Sequence, residues 1–194
     1  PSENNRTAGT SFLLGRQGRT WDSVPVPYVG QKDLSKAAIA TFRKLAQDSR
    51  RLDARMQRES DARLVEKLNL FDGTYLKRAA VLLFHPDPER FFPGAFVKIG
   101  FFRTGSDLLY HDEVHGDLFS QVHKVLEVLL SKYLRAAIGY RGIQRIESLP
   151  VPIEALREAV LNAIIHRDYA VGAPIQIRVY GDRLSLWNPG ELPD

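Results

Sequence analysis

The switch of hydrophobic period between Pro152 and Trp187 constrains the fold of this chain more than any other feature. Pro152 fits a first helical position, and Glu154 in the first turn complements the helix dipole. The apolar stretch Leu156–Tyr169, LREAVLNAIIHRDY, carries that helix to about Asp168, with Gly172 beyond it. The period then changes from helical to two. Ile175, Ile177 and Val179 alternate with Gln176, Arg178 and Tyr180, Gly181-Asp182 turns the chain, and Leu184 and Leu186 alternate with Arg183, Ser185 and Trp187. This pattern predicts an antiparallel hairpin with one buried face, on which the preceding helix packs.

Within that helix Glu158, Asn162 and His166 stand at i, i+4 and i+8. Four residues rise about 6 Å and overshoot one turn by about 40°, so the three side chains form one slowly drifting stripe. Polar groups aligned on an otherwise buried helix need partners within the fold, or they need a ligand.

The totals limit what such a ligand or partner can be. The chain has 194 residues, 44% of them hydrophobic, enough for one large domain or two small ones. There is no cysteine, which excludes a disulfide framework and any thiolate metal site, and fits a reducing cytoplasm. No apolar run approaches the roughly 20 residues of a membrane span, and PSENNRTAGT at the start lacks the apolar core of a signal peptide. The net charge is +4, and 19 of the 27 basic residues are arginine, whose planar fork suits phosphate.

Further elements are predicted along the chain. Phe12–Trp21 reads as a short strand and a basic, glycine-punctuated turn. Asp33 caps a helix to about Ala46 with Leu34, Ala37, Ala38, Phe42 and Leu45 inside, and a second helix covers Asp61–Leu70. The basic stretch Arg50–Arg58 between them reads as a flexible connector. Asp72-Gly73 is a turn. The apolar run Ala79–Phe84 has strand length and reads as a strand buried on both faces, with Ala95–Phe102 as its partner. A helix from about Asp117 to Leu134 turns Phe119, Val122, Val125, Leu126, Leu129 and Leu130 inward, and Arg145–Leu149 is a further strand.

Several tempting motifs fail on spacing. His166-Arg167-Asp168 looks like a kinase catalytic loop, but Ala173 stands where that loop needs asparagine. Arg167 and Asp168 are better suited to fastening the helix end to the next loop. No phosphate-binding G-x-x-x-x-G-K-[ST] loop occurs. His111-Asp112-Glu113-Val114-His115 lacks the glutamate that a zinc-protease helix places directly after its first histidine, and it reads as a strand end entering a turn. Arg51, Arg55 and Arg58 at helical spacing, and Arg16 and Arg19 in the Gly15/Gly18 turn, are candidate phosphate contacts.

LREAVLNAIIHRDY, the hairpin and Asn188-Pro189-Gly190-Glu191-Leu192-Pro193 together resemble the C-terminal module of bacterial RecG-like transcriptional regulators. Leu76–Phe84, Asp87–Pro93 and Phe12–Trp21 extend the likeness upstream. Proteins of that family carry a Schlafen-type AlbA domain, then a module similar to the gyrase and histidine-kinase (GHKL) ATPases. The resemblance implies a bacterial, DNA-associated fragment. Residues 1–32 would end an AlbA-type DNA-binding domain, 33–70 form a helical linker, and 71–194 begin a GHKL-like α/β sandwich of mixed or antiparallel sheet packed by helices. It implies Glu158 as the water-activating carboxylate, Asn162 as the Mg²⁺ ligand, and His166, Asn188 and Gly190 as further nucleotide-side residues. Asn188 stands where the superfamily's adenine-reading aspartate is expected. The implied cofactors are ATP and Mg²⁺, the implied partners DNA, a nucleotide and a second copy of the chain, and the implied activity weak ATP hydrolysis by the full-length protein but not by the fragment. The competing expectation is a non-enzymatic interaction scaffold with a vestigial nucleotide pocket.

Overall fold

A computed structural model describes residues 20–50, 54–134, 137–141 and 144–189. The chain divides into two compact units, Pro1–Phe92 with Gly116–Phe119, and Pro93–His115 with Ser120–Asp194. Both mix helix and strand, giving an α/β protein with antiparallel and mixed sheets packed by helices. The expected linker and residues 71–92 of the range read as ATPase-type both lie in the first unit.

The first unit opens with strand β1 (Pro25–Val26) and helix α1 (Lys36–Asp48). Ser35 rather than Asp33 caps α1, its hydroxyl accepting from the Ala38 N–H at 3.2 Å, while Asp33 Oδ2 accepts from the Gly30 N–H and closes the preceding turn. The buried side of α1 is Ala38, Ile39 and Ala46, so Leu45 faces solvent instead of the core. The expected flexible connector is also corrected where it is described. Ala54–Arg58 is helix α2, and Arg43 holds it by donating to the carbonyls of Met56, Gln57 and Glu59 at 2.8–3.1 Å. The same guanidinium reaches Asp61 at 3.0 Å at the start of α3 (Asp61–Lys67). An arginine's planar fork can satisfy several acceptors at once, which a lysine cannot.

Strands β2 (Phe71–Asp72) and β3 (Tyr75–Lys77) form a hairpin across the predicted turn, and β1 adds to β3. Gly73 takes a φ of 61° there, a conformation that suits glycine. The next segment overturns an expectation. Arg78–Phe84 is a helix, α4, and not a strand. Ala80, Val81, Leu82 and Phe84 are all buried, as in a short helix apolar on nearly every side. A run this short has the same composition in either state, so period alone could not decide it. His85 caps α4, and Pro86 disfavours further helix.

The second unit is built on a four-stranded sheet. Strand β4 (Val97–Phe102) pairs antiparallel with β5 (Leu108–Val114), not with residues 79–84. Helix α5 (Leu118–Val128) follows and ends in a wide turn, Leu129–Tyr133, closed by the Leu134 N–H to the Leu129 carbonyl. Strands β6 (Ala137–Arg141) and β7 (Gln144–Ser148) form a separate ribbon, and α6 (Ile153–Ile165) follows them. Then β8 (Ile175–Val179) runs parallel to β4 and turns antiparallel into β9 (Leu184–Trp187), as the alternation predicted.

Strand alternation gives this sheet two faces. Val97, Ile99, Val114, Ile175, Ile177 and Val179 line the buried one. Tyr133 from the wide turn reaches this side, its hydroxyl 3.0 Å from the Ile99 carbonyl and 2.6 Å from Asp112 Oδ2. Lys132 binds both Asp112 oxygens at 2.7 and 2.9 Å. Hydrogen bonds from Lys132 and then Tyr133 hold the Asp112 carboxyl below its ordinary range. Burial, with the Asp112 contact adding to it, pushes the Tyr133 hydroxyl far up.

Two outcomes follow. Arg43→Ala strands several part-buried carbonyls and lowers unfolding free energy by about 2 kcal/mol, and Arg43→Lys recovers less than half, as urea titration will measure. A carboxyl with a lowered folded pKa stabilises the protein above its unfolded value and stops doing so as pH falls through the folded value. The stability difference between wild type and Asp112→Asn therefore shrinks as pH is lowered below about 3.9, read from thermal unfolding across pH.

Candidate functional site

The helix that carries the predicted stripe is shorter than its sequence suggested. It ends at Ile165, and His166 is its C-cap, its N–H donating to the Asn162 carbonyl at 2.9 Å. Leu156, Val160, Ala163 and Ile164 form the buried side. Glu158, Asn162 and His166 all lie on exposed surface instead of within a buried helix. Asn162 Nδ2 donates to Glu158 Oε1 at 3.1 Å. That bond orients the amide and leaves Asn162 Oδ1 free of this contact.

The segment after α6 is a clasp. Arg167 is buried, and its Nη2 donates to the carbonyls of Val171 at 3.2 Å and Ala173 at 2.9 Å. Its guanidinium carbon sits 4.5 Å from the ring centre of Tyr169. The Tyr169 hydroxyl donates to the Ile164 carbonyl at 2.8 Å, and burial pushes that hydroxyl up to about 12 despite the opposing pull of Arg167. Asp168 Oδ1 accepts from the Ala170 N–H at 2.9 Å. Arg167 and Asp168 thus have the fastening role that their failed kinase spacing left them.

The two sequence motifs meet through this clasp. The Asp168 N–H donates to the Pro189 carbonyl at 2.8 Å, fixing the chain after β9 to the end of the α6 segment. Next to that link, Asn188 Oδ1 is buried with no hydrogen-bond partner among the described residues. An acceptor without a donor is costly to bury, so this oxygen would gain from any donor brought within reach. Gly190 and Glu191 lie outside the described residues.

A glycine contact that the sequence did not signal holds the same loop from the other side. Gly94 has a φ of 80°, and a Cβ there would come 2.3 Å from the Gly172 carbonyl oxygen. The missing Cβ of Gly94 permits this approach, while a Cβ on Gly172 would point away from it.

The remaining candidates separate. Arg58 is exposed at the end of α2, and Arg55 lies in the same helix. Arg16, Arg19 and Arg51 lie outside the described residues. The His111–His115 segment is the end of β5 and the residue beyond it, so alternation splits its side chains between faces. Asp112 bonds Lys132 and Tyr133, while Glu113 pairs with Lys98 at 2.9 Å on the other side, which lowers the Glu113 carboxyl. Among the described residues no group of three or more histidines and carboxylates is arranged for a metal, and no helix is long and apolar enough to cross a membrane.

No protein-family model matches the chain, and no curated protein matches it. Among solved structures it is similar to the crystal structure of the DIP2311 protein from Corynebacterium diphtheriae, with a TM-score of 0.67 and 23% identity over 94% of this chain. At that identity the likeness shows the fold alone. The match covers 36% of the DIP2311 chain, so the present chain spans about a third of that protein's length.

The glycine contact gives a sharp contrast. Gly94→Ala meets both a positive φ and the Gly172 carbonyl, and it costs about 3 kcal/mol. Gly172→Ala places its Cβ 3.9 Å from the nearest atom, the Pro93 oxygen, and costs under about 1 kcal/mol. Paired chemical denaturation curves measure the difference.

Proposed function

We propose that this chain is part of a cytoplasmic, DNA-associated bacterial regulator of the RecG-like type, and that its second unit carries a GHKL-like nucleotide module. The observation that carries the reading is the Asp168–Pro189 backbone bond, which joins the two motif segments and sets the unpartnered Asn188 Oδ1 beside the helix end. In this reading Asn188 Oδ1 accepts from the amino group of the base, with Gly190 at the base-side wall. Asn162, its amide oriented by the bond to Glu158, would hold Mg²⁺ through Oδ1. When bound, that ion neutralises phosphate charge. The Glu158 carboxylate would accept a proton from water attacking the terminal phosphate, with the nucleoside diphosphate as leaving group, and His166 caps the same helix. The arginines at 16, 19, 51, 55 and 58 supply phosphate contacts to DNA.

One observation favours a second reading, a scaffold that keeps the module without its chemistry. Glu158 and Asn162 bond each other on open surface, and the two described clefts are lined by other residues. Calorimetric titration of the full-length protein with ATP and Mg²⁺ separates the two. The regulator reading expects saturable, Mg²⁺-dependent binding that Asn162→Ala weakens at least about tenfold, a loss of about 1.4 kcal/mol. Absence of binding, or binding unchanged in Asn162→Ala, overturns it in favour of the scaffold.

A further inference from the structure

The face of the four-stranded sheet opposite Ile99 and Ile177 is open and chemically patterned. Its side chains follow from the strand register. Trp187, Gln176, Lys98 and Glu113 form one cross-strand row. Ser185, Arg178, Gly100 and His111 form the next, and Phe102 with Leu108 the third. A diagonal therefore runs Trp187, Arg178, Phe102, moving one strand over and two residues along at each step, about 7–8 Å.

We propose that this face binds single-stranded DNA, with bases stacked on Trp187 and Phe102 and a phosphate of the chain between them on Arg178. Trp187 is 48% exposed, and no ring or hydrogen-bond partner holds its indole among the described residues. Aromatic rings left open on a sheet are stacking surfaces for unpaired bases. Phe102 is braced by Tyr180, stacked at 5.7 Å, and by Arg178, whose guanidinium carbon is 5.6 Å from its ring centre. Arg178 bonds Gln176 at 3.3 Å but pairs with no carboxylate among the described residues. Its charge is therefore available to a phosphate. Lys98, by contrast, is neutralised by Glu113.

Gly100 shapes the centre. A Cβ there would come 2.7 Å from Phe102 Cε2 and 3.0 Å from Leu108 Cδ1, so the glycine lets both side chains lean over it. The depression beside them has a volume of ≈ 300 Å³ and is bordered by Lys98, His111, Gln176 and Arg178. It is wide enough for one splayed base. The polar residues between the aromatics make the face a poor seat for an apolar helix. Four paired strands about 4.8 Å apart also span more than the roughly 12 Å major groove, which admits a helix or a two-stranded ribbon. The face is distinct from the Glu158–Asn162 stripe on α6. Only the choice of DNA over RNA rests on the regulator reading.

The test uses the intact protein and a labelled oligothymidine of about 12 nucleotides, followed by anisotropy. A Trp21→Phe background leaves Trp187 as the sole indole, since the chain has two tryptophans. The expected results are quenching of Trp187 on binding, and about tenfold weaker binding in Trp187→Ala and in Phe102→Leu. Arg178→Ala should lower the salt slope by about one. Circular dichroism confirms that each variant is folded, and exposed Trp187→Ala keeps the test decisive if Phe102→Leu is not. No binding, equal binding by wild type and Trp187→Ala, or tenfold preference for duplex or for the matching RNA overturns the proposal. Oligothymidine binding without ATP binding leaves this proposal standing and removes the nucleotide reading, and the converse result does the reverse.

Discussion

The parallel pairing of β4 with β8 is the contact on which the second unit depends. It joins Val97–Phe101 to Ile175–Val179, and the intervening chain holds β5, α5, the β6–β7 ribbon and α6. Parallel strands require such a crossover, and closing it costs chain entropy before any pairing repays it. The repayment is apolar. Ile99, Ile175, Ile177 and Val179 are nearly completely buried along this seam, and each fully buried side chain of this kind is worth about 1.5–3 kcal/mol. Without the seam, β5 would keep only β4 and β9 only β8. Neither two-stranded ribbon is stable by itself in water.

The seam also sets where chemistry can occur. Adjacent pairing puts Lys98 beside Gln176 and Gly100 beside Arg178 on the open face, while Ile99 and Ile177 turn the other way. The Arg167–Tyr169 clasp and the Gly94–Gly172 approach then fix the loop that enters β8. Because the Asp168 N–H holds Pro189, the strand exit is fixed to the same clasp as the entry. Asn188 is thus placed by the Asp168–Pro189 backbone bond and by the loop that the buried Arg167 side chain holds.

Local order was legible in the sequence where one period ran uninterrupted. The β8–β9 hairpin matched its alternation, and α6 was found from Pro152 and the apolar stretch that follows. Its end was overestimated because Arg167 and Asp168 continue a helix-compatible composition while their side chains serve the clasp. Ala79–Phe84 was misread because six apolar residues carry no period, and burial on all sides suits helix and strand equally. The helix α2 was missed because its stability comes from Arg43, which lies outside the segment. Pairing of β4 with β8 is a long-range fact that no local pattern records. At the site, residue types and order were legible, but exposure was not. The stripe on α6 was read from an apolar sequence as buried, whereas Ile153, Leu161 and Ile165 share its exposed surroundings.

Native-state hydrogen exchange tests the seam most directly. If β4 and β8 form one cooperative unit, the interior amides of Val97–Phe101 and Ile175–Val179 share the highest opening free energy of the second unit. They should also fall together when Ile177→Val weakens the interface. Exchange of β8 together with β9 alone, at a lower free energy than β4 and without change in β4 in that variant, would contradict the account.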